Sequence, residues 1–168
     1  LIPNTRGIWQ AYDEYVRSGS EIELSSDSTC KRVVWRTEAV NRICRATVWK
    51  REISLGHSAI EMVETLLNPK REQLMIETFF HFAPACDVYC VEDNASERHL
   101  LIKGKQGKYR FDIRTDAANW MIECFKGDPK SPHGWHFPDY GKKEPAWTVR
   151  ISFNITEDFM LKVAMIRS

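Results

Sequence analysis

Along most of this chain apolar residues recur at every second position. In "QLMIETFFHF" Leu74, Ile76, Thr78, Phe80 and Phe82 fall on one side and Met75, Glu77, Phe79 and His81 on the other, which predicts a strand covered on both faces. "DVYCVED" predicts the next strand, set off by Pro84, whose missing N–H interrupts a ladder. "HLLIKGKQGKYRFDIRT" predicts a hairpin with Gly104 and Gly107 bracketing its turn. "RATVWKREISL" and "SAIEMVETLL" predict another antiparallel pair around Gly56 and His57. "NWMIECF" runs into a loop marked by Gly127, Pro129, Pro132 and Gly134. Two last strands follow in "AWTVRISFNITEDFMLKVAMIR", where Trp147, Val149, Ile151 and Phe153 alternate with Thr148, Arg150 and Ser152. Strands at intervals of about ten to fifteen residues predict an all-β fold, an antiparallel β-sandwich of two layers.

Two runs break the period. Ile8, Tyr12, Tyr15 and Val16 in "IWQAYDEYV" fall at helical spacing, and "TEAVNRIC" is similar, so one or two short helices are expected near the N-terminus. No repeat, low-complexity tract or Gly/Ser linker divides the chain, and residues 1–168 are expected to form a single domain.

Charge removes several function classes. Lysine and arginine number 24 against 23 acidic residues, a formal net charge of +1, so no global field gathers nucleic acid or an anionic membrane. No apolar run approaches the roughly 18 residues of a membrane span, and the N-terminus lacks the order of a signal peptide. The chain is expected to be soluble as given, with neither nucleic acid nor membrane as partner. It begins at Leu1 rather than methionine, the start expected of a fragment or processed product, which leaves localisation open. The five cysteines, Cys30, Cys44, Cys86, Cys90 and Cys124, include no C-x-x-C pair, which excludes a zinc ribbon. On one strand Cys86 and Cys90 would lie roughly 13 Å apart, too far for a disulfide. Buried free thiols are expected.

Candidate chemistry concentrates in "HGWHFPDYGKKEPAWTV", His133 to Val149. Trp135, His136, Tyr140, Lys142 and Lys143 are the candidate carbohydrate-binding residues: aromatic faces stack on the apolar face of a sugar, and ammonium groups meet carboxylates or sulfates. The bland alternative, to which the composition leans, has Trp135 and Tyr140 packing a loop against the sheet. His133 and His136 with Asp128 and Asp139 have metal-ligand chemistry, but a structural metal needs about four placed ligands, and no metal or other cofactor is expected. His81, between large apolar residues, reads as a satisfied histidine. Trp35, Trp49, Trp120 and Trp147 read as core or sheet-edge anchors, and Lys31-Arg32, Lys50-Arg51 and Lys70-Arg71, each near acids, as solvated faces. Neither a G-x-S-x-G elbow nor a phosphate loop is present.

Taken in order, the strands resemble the C-terminal β-sandwich of the heparinase II/III-like polysaccharide lyases. "WKREISL" resembles that family's basic strand, "SAIEMVETLL" its following I-x-I-x-D-x-L strand, and "MIETFFHFAP" its His-Phe strand ending in proline. "LLIKGKQGKYRFDI" follows, and then "GWHFPDYGKKEPAWTV", which resembles the family's G-W-x-x-P-x-Y-G-x-K-x-P-A segment. The likeness covers about Arg45 to Phe153. Its most distinctive part is Gly134, Trp135, Pro138, Tyr140, Gly141, Lys143, Pro145 and Ala146, and Glu64 departs from it where the family has aspartate. The resemblance implies a parent enzyme with an N-terminal helical toroid, which eliminates across the glycosidic bond of an acidic polysaccharide by taking the C5 proton of a uronic acid. In that family the abstracting groups lie mostly on the toroid, and a further catalytic histidine and the metal ligands sit early in the sandwich. No histidine precedes His57 here, so no residue carries over as a catalyst. The expectation is an accessory sandwich, inactive by itself, from a protein that is periplasmic or secreted. The alternative is a stand-alone module binding acidic carbohydrate, and a third option is a sandwich used for protein contacts alone.

Overall fold

A computed structural model describes residues 2–3, 9–10, 20–37, 48–93 and 97–168. Its strands are β1 (Ile2–Pro3), β2 (Trp9–Gln10), β3 (Ser20–Ser26), β4 (Lys31–Thr37), β5 (Val48–Leu55), β6 (Ala59–Leu67), β7 (Leu74–His81) and β8 (Asp87–Asp93). They continue as β9 (Glu97–Gly104), β10 (Gly107–Thr115), β11 (Asn119–Lys126), β12 (Trp135–Asp139), β13 (Lys142–Pro145), β14 (Trp147–Ile155) and β15 (Phe159–Arg167). All pairings among the described residues are antiparallel. One sheet has eight strands in the order β3-β4-β5-β6-β15-β10-β9-β8, and a second has three, β11-β14-β7. Two further two-stranded ladders are β1-β2 and β12-β13. The fold is the expected all-β antiparallel sandwich.

The period-two pattern builds the interior. Leu100, Ile113, Val149, Ile151, Phe153 and Leu161 are fully buried, and they come from both sheets. Phe153 of β14 meets Phe159 of β15 at 4.5 Å between ring centroids, and Phe80 of β7 meets Phe111 of β10 edge-on at 5.0 Å. Trp49, Trp120 and Trp147 pack against this core, as anchors should, while Trp35 reaches Trp49 edge-on at 6.4 Å.

Both interior hairpins fall where their glycines predict, β5-β6 around Gly56 and β9-β10 with Gly107 at φ 139°. The β3-β4 hairpin is closed by Asp27, inside the polar run Ser25, Ser26, Asp27, Ser28 and Thr29. Its carboxylate accepts hydrogen bonds from the Thr29 hydroxyl at 2.7 Å and from the amides of Thr29 at 2.7 Å and Cys30 at 2.8 Å. These bonds, that of the Thr29 hydroxyl foremost, hold the Asp27 carboxyl below the usual carboxylate range.

Four expectations change. The described residues contain no helix: Trp9–Gln10, inside the first helical candidate, pairs with Ile2–Pro3 as strand. The rest of that candidate, and "TEAVNRIC" apart from Thr37, lie outside the described residues. β7 is covered fully on its inner face and only in part on its outer one, where Met75 is 72% exposed while Phe79 stacks on the His133 ring. Cys30 and Cys86 are half-buried and Cys124 exposed rather than buried, although none forms a disulfide. Arg51 is not part of a solvated face; it turns inward to a buried carboxylate described below.

Candidate functional site

The β12-β13 hairpin carries all five candidate carbohydrate-binding residues. Its ladder pairs Trp135 with Pro145, His136 with Glu144 and Asp139 with Lys142, with a register shift between His136 and Asp139. Gly141 turns the chain at φ 74°, a left-handed conformation that favours glycine.

Its footing is a glycine knot. The Gly134 carbonyl accepts from the amides of Gly127 at 2.7 Å and Ala146 at 3.0 Å, and its N–H donates to the buried Thr148 hydroxyl at 3.1 Å. The same hydroxyl lies 3.0 Å from His81 Nδ1, so His81 is satisfied, as its setting in sequence suggested. No side chain fits at Gly134: φ is +85°, and a Cβ would come within 2.9 Å of backbone atoms of Phe125, Lys126 and Gly127. The neighbouring His133 ring stacks on Phe79 at 4.7 Å and lies 5.5 Å from Phe125. Arg150, beneath, bridges Glu77 at 3.1 Å and Glu123 and sits 5.3 Å from the Phe125 ring.

The five residues share the hairpin without forming one pocket. The Trp135 indole is half-buried, donating from Nε1 to the Asp128 carbonyl at 3.2 Å, and the Lys143 ammonium lies 4.1 Å from its ring centroid. These two engage each other, so that face of the ring is already taken. Lys142 pairs with Asp139 at 3.2 Å, and His136 stands 4.0 Å from Glu144. Tyr140 projects fully into solvent at 101% relative exposure, which corrects the leaning that it packs the loop down. Phe137, which the sequence reading passed over, is 65% exposed on the same hairpin. Its signal was the alternation Trp135, Phe137, Asp139.

The candidate metal residues do not converge. His133 lies against the phenylalanines and His136 near Glu144, the Asp128 carboxylate caps the Lys130 amide at 2.8 Å, and Asp139 accepts from the Tyr140 amide and Lys142. Among the described residues one group has metal-ligand chemistry, Glu97, His99 and Asp112 on the outer face of the large sheet. Its carboxylates are already engaged: Asp112 with Arg110 at 2.8 Å and His99 at 2.9 Å, Glu97 with Arg114 at 2.7 Å. Two guanidiniums beside the group supply the positive charge that an ion would bring.

The most deeply buried carboxylate among the described residues had no role assigned from the sequence. Glu64, 1% exposed, lies between the layers on β6, where its Oε2 accepts from the Thr78 hydroxyl of β7 at 3.0 Å and its Oε1 from Arg51 Nε at 2.6 Å. Its signal was a lone acid on the apolar face Ile60, Met62, Glu64, Leu66. On the outer face, Arg32 bonds Glu52 through Nε at 2.8 Å and Nη2 at 2.6 Å, and this hydrogen-bonded pairing holds the Glu52 carboxyl below the usual carboxylate range. A shallow cavity of about 410 Å³ adjoins this pair, edged by Glu21, Glu23, Arg36 and Lys50; its charges nearly cancel.

The fold and hairpin define a class, an antiparallel β-sandwich with a projecting aromatic and basic hairpin. No family model matches the chain, and no curated protein matches it.

Proposed function

We propose that this chain is the accessory β-sandwich of a heparinase II/III-like polysaccharide lyase, inactive by itself, which braces a helical catalytic toroid and forms one wall of the cleft for an acidic polysaccharide. The observation that carries the reading is the β12-β13 hairpin. The segment bearing the most distinctive part of the resemblance stands as a finger tied down at Gly134, with Phe137 and Tyr140 exposed beside Lys142. A wall that touches a polymer lying on a neighbouring body needs such a projection. Among the described residues the two buried carboxylates support a bracing role, because Glu64, between the layers, is committed to Arg51 and Thr78, and Asp112, on the outer face of the large sheet, to Arg110 and His99. Neither is open to take a proton from a sugar carbon. Incubated with heparin, heparan sulfate or alginate, the chain should release no unsaturated product absorbing in the ultraviolet. Clear turnover would overturn the reading.

A second reading, a stand-alone module for acidic carbohydrate, is favoured by the exposed Tyr140 and Phe137 next to an ammonium group. It expects binding to an acidic glycan that weakens with salt and drops on Tyr140→Ala or Lys142→Ala. Affinity indifferent to both substitutions would remove it.

A further inference from the structure

The two layers are unequal, and the difference leaves a step. The registers run Ile22 to Trp35 to Arg51 to Glu64 to Leu161, and Leu24 to Val33 to Ile53 to Met62 to Val163. Leu161 and Val163 are core residues, so both rows lie on the inner face of the large sheet. The smaller layer ends at β7, whose Thr78 reaches Glu64 of β6. Beyond it β4 and β3 carry the inner face onward. Val33, Trp35 and Ile53 become only half-buried there, and Ile22 and Leu24 are 67% and 75% exposed. The floor of the step is therefore mainly apolar, with Lys31 at its end and Arg51 turned to Glu64, and its riser is the outer edge of β7, which among the described residues pairs only with β14.

What fits a step is a slab with an apolar underside and a free strand edge. Among the described residues the overhang β3-β4-β5 has both. We infer that this face is an interface between two copies of the chain, each overhang lying inner face down on the floor of the other.

Other self-pairings fail on physical grounds. Joining β7 to β7 would place both overhangs in the same space beneath the two small layers. Joining β3 to β3 would set the Glu21 and Glu23 rows of the two edges beside each other, and like charges on adjacent strands repel. In the step-to-step arrangement a two-fold axis runs between the floors, and the interface is isologous. The β3 edge of each copy then meets the β7 edge of the other, strands of seven and eight residues. Val33 and Trp35 of β4 then meet their own counterparts, and Ile22 and Leu24 of β3 lie over the Ile53 row of β5 in the other copy, while Glu21, Glu23, Arg32 and Arg36 stay on the outer face in water. A net charge of +1 per chain sets no barrier to association. The interface goes beyond the accessory-domain reading and stands whether or not that reading holds.

Light scattering coupled to size-exclusion chromatography tests it. The expected result is a species of about twice the chain mass of 19.6 kDa that dissociates on dilution. Leu24→Lys, on an already exposed side chain, should weaken association by about a hundredfold with an unchanged near-ultraviolet circular dichroism spectrum. Ile22→Lys should do the same. Met160→Lys, on the outer face of β15, should leave the dimer intact. A monomer at all concentrations, or a dimer indifferent to both floor substitutions, would overturn the proposal, and so would one disrupted equally by Met160→Lys.

Discussion

Arg51→Ala tests how the carboxylate buried between the two layers is held. The Glu64 side chain, 2% exposed, holds its carboxylate with one donor from each side: Arg51 on β5 of the large sheet and Thr78 on β7 of the small one. Removing the guanidinium leaves a buried carboxylate with a single hydroxyl donor. Breaking a buried ion pair from one side costs about 3–5 kcal/mol. The Arg51 side chain is 38% exposed, so water recovers part of that loss, and about 3 kcal/mol is expected. Removing both charges is a different perturbation. Arg51→Met combined with Glu64→Leu replaces the pair by apolar volume and should fall within about 1 kcal/mol of the parent protein.

Urea unfolding followed by tryptophan fluorescence reads both, since Trp49 lies 5.9 Å from the Arg51 guanidinium. With a slope of about 2 kcal/mol per molar urea, the midpoint of Arg51→Ala should drop by about 1.5 M, and that of the double variant by much less. A cost below about 1 kcal/mol for Arg51→Ala, or a double variant no more stable than the single, would show that the buried carboxylate does not depend on this pair.

Gly134→Ala should cost about 2 kcal/mol or more and speed amide exchange at Gly127 and Ala146, the two donors to its carbonyl; unchanged protection there would remove the knot. The Arg32–Glu52 pair gives a pH dependence whose sign follows from the lowered Glu52 carboxyl. Its stabilisation is fully present above the unfolded glutamate value of about 4.3 and is lost as pH falls through the lower folded value, so Arg32→Met should flatten that part of the acid limb of a stability titration. An acid limb identical in the variant would show that the pair is not coupled to folding. Lys143→Ala uncovers one face of the Trp135 indole, and acrylamide should quench that tryptophan more strongly in a background where the other five are replaced by phenylalanine; unchanged quenching would mean the ammonium does not cover the ring.

The sandwich was legible because alternation reports burial directly: Trp147, Val149, Ile151 and Phe153 give the inner row of β14 without knowledge of any partner. The limits of the same signal explain the misses. It marked β7 as covered on both faces because Met75 and Phe79 are apolar, yet an edge strand of a small layer leaves Met75 in water while a loop histidine from β12's approach covers Phe79. It gave no warning of β3, where Glu21, Ile22, Glu23 and Leu24 alternate as in a half-buried strand although both rows are exposed. The hairpin residues were identifiable by type, but their engagement was not. Whether Lys143 faces solvent or the Trp135 ring depends on a register that shifts between His136 and Asp139, and nothing in the order of residues fixes that shift.

The two ends of the large sheet bear on where assembly happens. At one end β8 is protected: Val88 is buried, Lys126 from the covering layer ties Asp87 at 3.2 Å, and its ladder with β9 shifts register between Cys90 and Glu92. Irregular pairing and a charge held over the strand are the usual means by which an edge avoids further pairing. The other end lacks these features. β3 pairs with β4 in unbroken register over seven residues, from Ser20 opposite Thr37 to Ser26 opposite Lys31, and points Ile22 and Leu24 into the open step. Among the described residues only the glutamates on its outer face oppose addition, most strongly against a second β3 edge, since the one carboxylate on the outer face of β7, Glu77, is paired with Arg150 at 3.1 Å. An edge defended against its own kind but regular and apolar underneath is suited to meeting a different edge, and the riser of the step is one.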